Sequence, residues 1–258
     1  MSTRLAYVVF DAARPRSVAH FWAQLLGWSV TLDRPDEADV SAPGPAGVTP
    51  ALIFLPTTQV KHGKNRIHLD VASRSLDHQQ FLADRACTLG ANPVDIGQGS
   101  VPWLVLADPE GNEFCVLEPR EEYVDTGSLA AIVVDTCDPA RLAAFWSAAS
   151  GWPVLRNERR VTGLRAPTGL GVWLEFVYTP EPKCGRNRLR LDLVPALPCD
   201  PHAEMARLHA AGATSIEPIG DPTAQALADP ETNEFCLLAP TIDGARAVTP
   251  AGRSGAPN

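Results

Sequence analysis

The sequence predicts an α+β protein made of two related halves in tandem, and three observations carry that prediction. Leu5-Ala6-Tyr7-Val8-Val9-Phe10-Asp11, followed by Phe21-Trp22 and Gly27-Trp28, recurs at constant offset as Leu129-Ala130-Ala131-Ile132-Val133-Val134-Asp135, Phe145-Trp146 and Gly151-Trp152. Two later blocks recur in the same order. Asn65-Arg66-Ile67-His68-Leu69-Asp70 answers to Asn187-Arg188-Leu189-Arg190-Leu191-Asp192, and Asp108-Pro109-Glu110-Gly111-Asn112-Glu113-Phe114-Cys115 to Asp229-Pro230-Glu231-Thr232-Asn233-Glu234-Phe235-Cys236. Matched blocks in one order, tryptophans included, mark a duplication rather than a shared composition. Finally, the apolar periodicity switches between strand and helix, so that each half reads as strand, helix and three strands, and then the same again.

Taken in order, Leu5–Phe10 is an apolar, partly aromatic run with the character of a buried strand. Pro15 suits the first turn of a helix over about Arg16–Leu26, whose Val18, Phe21, Trp22, Leu25 and Leu26 recur at spacings of three and four. Gly27 is placed to end it in the left-handed region; Asp138-Pro139 and Gly151 repeat these boundary signals. Trp28–Leu32 and Ala51–Leu55 read as strands separated by a Pro/Gly/Ala-rich loop, 35–50. In the next strand Ile67, Leu69 and Val71 alternate with Arg66, His68 and Asp70, so one face is apolar and the other carries charge and an imidazole. A helix near Leu76–Leu89, stopped by Gly90, has its counterpart between Asp200-Pro201 and Gly212. Strands near Val101–Leu106 and Phe114–Leu117 flank the Asp108–Asn112 turn. The boundaries are therefore 1–120 for the first half, 121–127 for the core of a linker that begins near Pro119, 128–241 for the second half, and 242–258 for an unpatterned, mobile tail.

Composition narrows the function. A net charge of -8 and the absence of a basic stripe argue against nucleic acid. No apolar run approaches the roughly 20 residues that span a bilayer. Six cysteines at irregular positions form neither a C-x-x-C pair nor a disulfide framework, and no charged-then-apolar leader precedes Leu5, so reduced thiols and a cytoplasmic location are expected.

His20-Phe21-Trp22 with Leu26-Gly27-Trp28, Lys64-Asn65-Arg66-Ile67-His68-Leu69-Asp70 and Asp108-Pro109-Glu110-Gly111-Asn112-Glu113-Phe114, with their second-half counterparts, resemble the vicinal oxygen chelate superfamily, the glyoxalase, bleomycin-resistance and extradiol-dioxygenase fold, within its glyoxalase-like domain group. The resemblance spans about Leu5 to Pro240. It implies tandem domains, each of two βαβββ modules with a curled mixed sheet and outer helices, enclosing a cleft. In metal-using members a divalent ion is held by a first-strand residue, a histidine on the first strand of the second module and a last-strand glutamate. Fold alone does not assign an activity.

Set against that pattern, His68 matches the histidine, Cys115 falls on the glutamate position, and Tyr7 or Ala6 on the first strand. In the second half the matching residues are Arg190, Cys236 and Ala130 or Ala131, and a guanidinium donates no electron pair to a cation. If the first half holds a metal, His68, Cys115 and Glu113, which shares a strand face with Cys115, are its ligands; otherwise His68 contacts an organic ligand directly or packs structurally. Trp103 and Trp173 have no tryptophan counterpart and are candidates for stacking on a ligand. Glu175, alternating with apolar neighbours, is expected to face Arg190, either as an ion pair or beside an anion site.

The expected function is metal-independent, cofactor-free binding of a small organic metabolite or antibiotic. The alternative is a metal-dependent lyase, isomerase or dioxygenase with its site in the first half only. The halves are expected to pack against each other as an intrachain pseudo-dimer in a monomeric chain, with a small molecule and neither nucleic acid nor membrane as partner.

Overall fold

Each half folds as two consecutive modules of strand, helix and three strands, and the first strand of every module lies at the centre of a sheet. The computed structural model describes residues 3–44, 48–198, 200–220 and 223–239; Cys199 and the tail expected over 242–258 lie outside them. The first half runs β1 (Thr3–Ala12), α1 (Pro15–Leu26), β2 (Ser29–Asp33), β3 (Ala38–Ser41) and β4 (Ala51–Pro56), then β5 (Ile67–Val71), α2 (Leu76–Thr88), β6 (Asn92–Pro93), β7 (Leu104–Ala107) and β8 (Glu113–Val116). A 3-10 turn, Glu121–Tyr123, sits inside the linker. The second half runs β9 (Leu129–Thr136), α3 (Pro139–Ser150), β10 (Val154–Asn157), β11 (Val161–Arg165) and β12 (Trp173–Tyr178), then β13 (Leu189–Pro195), α4 (Pro201–Ala211), β14 (Thr214–Ser215), β15 (Gln225–Ala228) and β16 (Glu234–Leu237). The stretch expected to be a loop, 35–50, contains β3, whose Val40 faces the core while its neighbours are half-exposed.

Helix ends follow local chemistry. Pro15 opens α1, and Gly27 closes it at φ 68° with its N–H returned to Ala23 O. The side chains of Asp138 and Asp200 accept from Arg141 N and His202 N at the starts of α3 and α4.

Two eight-stranded sheets result, and each takes one module from each half. The first has the order β14-β15-β16-β13-β1-β4-β3-β2, the second β10-β11-β12-β9-β5-β8-β7-β6. Their seams are the antiparallel pairs β1–β13, where Val9 lies opposite Arg190, and β5–β9, where His68 lies opposite Val133. The helix-facing sides of both sheets merge into one apolar core centred on Trp22, Trp146, Phe114 and Phe235. The other faces carry smaller clusters, one around Tyr7 and Cys236 and one around Cys115 and Tyr123.

The Asp-Pro-Glu turn ties these layers together. Asp108 accepts from the backbone of Glu110 and Asn112 and from Trp22 Nε1 at 3.2 Å, and Asp229 holds Trp146 at 3.1 Å in the same way. Glu110 accepts from Ala13 N and Arg14 N and pairs with Arg188 at 2.9 Å. Glu231 accepts from Cys137 N and Asp138 N and pairs with Arg66 at 2.7 Å. Each glutamate therefore steadies the entry to a helix of its own half and grips an arginine of the other.

Candidate functional site

Strand sharing decides which predicted residues meet. Tyr7 and Arg190 belong to the first sheet, whereas His68, Cys115, Trp103, Trp173 and Glu175 gather on the second. The expected grouping of Tyr7 with His68 is corrected by the pairing of β1 with β13, which puts Tyr7 opposite Asp192. Glu175 does not face Arg190 for the same reason: β12 pairs with β9, two strands from His68.

On the first sheet Arg190 is nearly buried between Asp192, 3.2 Å from Nε, and Asp11, 3.3 Å from Nη1. The Cys236 amide donates to Asp192 at 2.9 Å. Tyr7 packs in the apolar cluster of Val9, Ile53 and Cys236. This arrangement neutralises a buried guanidinium, and it does not fit a metal ion.

On the second sheet β5 projects His68 and Asp70 to the face turned from the helices, because strand residues two apart share a side. Parallel pairing with β8 places Asp70 opposite Cys115. Donor atoms of His68, Asp70 and Cys115 all lie within 4.8 Å of one another. His68 Nε2 stands 3.6 Å from Asp70 Oδ1, while His68 Nδ1 and Asp70 Oδ1 are buried without a hydrogen-bond partner. Burial, helped by the charge of Lys64, holds the imidazole down to about 4. Burial, with Glu175 adding repulsion, pushes the Asp70 carboxyl up to about 7, partly opposed by a hydrogen bond from Cys115. Close approach of the two is therefore contact between a neutral imidazole and a carboxyl that holds its proton more tightly than usual, rather than a strong ion pair. The Cys115 thiol is held protonated by burial and by Asp70, which argues against a nucleophilic role.

Glu113, the expected third ligand, points elsewhere. Lys61 Nζ reaches it at 2.7 Å and Asn65 N at 3.1 Å, and Lys183 and Asn187 hold Glu234 alike. It locks the loop before β5, and Asp70 takes the place beside His68. Asp70 stands on the polar strand face that the sequence already gives to His68, two residues away. Glu175 is engaged by Arg156 at 3.0 Å and by the Tyr123 hydroxyl at 3.1 Å. Neither partner carried a sequence signal, since Tyr123 comes from the linker and Arg156 from β10.

The unshared tryptophans frame this face. Trp103 and Trp173, both half-buried, pack against the cluster of Cys115, Leu117, Tyr123 and Ala130. Trp103 Nε1 donates to Gln98 and lies beneath Arg120; Trp173 Nε1 donates to Glu122 O and lies beneath Arg165.

Compared with known protein families, residues 7–117 and 131–238 each match the glyoxalase-like domain. The chain belongs to this family. No curated protein matches the sequence. Among solved structures, glyoxalase I from Zea mays is similar over 92% of both chains, with TM-score 0.64 and 15% identity. A putative dioxygenase from Bacillus subtilis subsp. subtilis str. 168 is similar over 92% of this chain and 84% of its own, with TM-score 0.61 and 13% identity. At such identities the likeness is one of fold: two glyoxalase-like domains in tandem. No helix among the described residues is long and apolar enough to cross a membrane.

Proposed function

We propose that the protein binds a small, partly aromatic organic molecule on the helix-averse face of its second sheet, without a resident metal. The observation that carries this reading is the state of the polar groups there. Glu175 and Glu113 are committed to cationic partners. His68 Nδ1 and Asp70 Oδ1 have no partner, and a buried polar atom without one costs free energy that a ligand's hydrogen bonds relieve. His68 keeps 12% of its side-chain surface open, and Trp103 and Trp173 offer flanking rings. After chelator treatment, titration with a metabolite panel, read by tryptophan fluorescence, is expected to find a ligand whose affinity falls about tenfold or more in His68→Ala. A ligand retained unchanged by that variant would overturn the assignment.

A second reading rests on the donor set itself. Imidazole nitrogen, carboxylate and thiol suit a soft divalent ion such as zinc, and His68, Asp70 and Cys115 would hold it. A bound ion would supply Lewis acidity toward a substrate oxygen. The alternative of a metal-dependent lyase, isomerase or dioxygenase follows from it, and elemental analysis of protein purified without chelator decides. About one equivalent of ion, lost in His68→Ala, favours this reading; no ion, with no binding on addition of zinc, nickel, manganese or ferrous iron, favours the first.

A further inference from the structure

The repeat supplies an internal control for one cavity. In the second half, Arg207 donates to the carbonyl of Ala148 at the end of α3, pairs with Glu204, and donates to Thr3 Oγ1 at 2.7 Å. In the first half its counterpart Arg85 donates to the carbonyl of Gln24 at the end of α1, at 2.9 Å. Both arginines lie five residues before the glycine, Gly90 or Gly212, that follows their helix, so Leu82 stands where Glu204 does; Gly127, by the β1 to β9 match, stands where Thr3 does. The two polar groups that satisfy Arg207 are thus an isobutyl group and a hydrogen atom around Arg85.

What takes their place is open space. Between the C-terminal end of α1, helix α2 and the linker strap lies a cavity of about 770 Å³, within the range of small-molecule sites. Arg74, Arg85 and Arg120 all line it, against one acid, Glu121. Arg120 is paired with Glu118, and among the described residues Arg85 meets only a carbonyl. Ser73, also on the lining, has a buried hydroxyl with no hydrogen-bond partner. Phe81 and Val124 flank it as apolar surface, 56% and 75% exposed, which costs free energy in water.

From this contrast between the halves we infer a second ligand site in the cavity under the strap, one that takes an amphipathic organic anion: the acidic head toward Arg74, Arg85 and Ser73, the apolar body on Phe81, Leu82 and Val124. It is separate from the His68 face, although Tyr123 and Arg120 belong to both surroundings: both line the cavity, while the Tyr123 hydroxyl reaches Glu175 and Arg120 lies over Trp103. Guanidinium groups favour carboxylate, sulfonate and phosphate heads through charge-assisted hydrogen bonds.

The test uses the full chain with 8-anilinonaphthalene-1-sulfonate as the anionic probe and N-phenyl-1-naphthylamine as its uncharged relative, both read by fluorescence. Saturable binding of one sulfonate per chain is expected, weakened about tenfold or more in Arg74→Glu. Leu82→Glu, which installs the carboxylate of the second half, is expected to abolish it. Arg74 is exposed, so that variant remains readable if Leu82→Glu fails to fold. Equal affinity for the uncharged probe would overturn the anionic class. Binding lost in His68→Ala but kept in Arg74→Glu would place the probe on the second sheet and overturn the site.

Discussion

His68 and Asp70 lie two residues apart on β5, and burial moves them in opposite directions. Depression of His68 from 6.5 to about 4 means that the unfolded chain binds the extra proton between those values, so this residue costs stability as pH falls through that window. Asp70, raised from 3.8 to about 7, binds its proton more tightly when folded, so its contribution is lost as pH rises through that window. The two slopes oppose each other over most of their range. In chelator-treated protein, Asp70→Asn should therefore expose a stability that rises from pH 4.5 to 6.5, and His68→Gln one that falls over the same interval. Urea-denaturation midpoints at the two pH values check this, and parallel slopes in the two variants would refute it. Much of this group was legible in the sequence: His68 and Cys115 lie in recognisable blocks, and Asp70 shares their strand face. Tyr123 and Arg156 were not, because a side chain that closes a site from a linker or a neighbouring strand leaves no local pattern.

At the level of elements, the paired arginines and turn glutamates set the geometry of the seams. Arg188 and Glu110 have side chains only 10% and 5% exposed, so removing one partner leaves a charge short of solvation. Arg188→Met is expected to cost about 3 kcal/mol, measured by chemical denaturation. The double variant with Glu110→Gln should cost less than the sum of the two single ones. Purely additive losses would show that the pair is not coupled. Helix boundaries were readable because proline, glycine and capping aspartates act within a turn of where they stand. The short strands β3 and β6 were hidden, since four or two residues give too few alternations, and Pro93 in β6 suits only an edge. The Lys64–Arg66 and Arg186–Arg188 runs are in large part grips between halves: Lys64 pairs with Asp135, and Arg186 with Asp11 at 2.9 Å.

For the whole molecule, the repeat revealed four modules but not which ones would join, because β1 and β9, or β5 and β13, are alike in pattern and only tertiary contact chooses between partners. With the seams crossing between halves, 1–120 produced alone presents β1 and β5 as bare edges. It should self-associate, and mixing it with 121–258 should restore one defined species near 27.6 kDa, as read by size-exclusion chromatography with light scattering. A first half that stays monomeric and fully folded would contradict the shared sheets. The same seam orders events during synthesis. The four modules form a nested arrangement, the inner two making one sheet and the outer two enclosing it in sequence. Everything needed for β5 to β12 has left the ribosome while the apolar strand β1, buried along nearly its whole length in the finished protein, still lacks β13, more than half the chain away. Strand β1 is thus completed only once β13 has been made, and until then its apolar residues and its unpaired edge are open to misassociation.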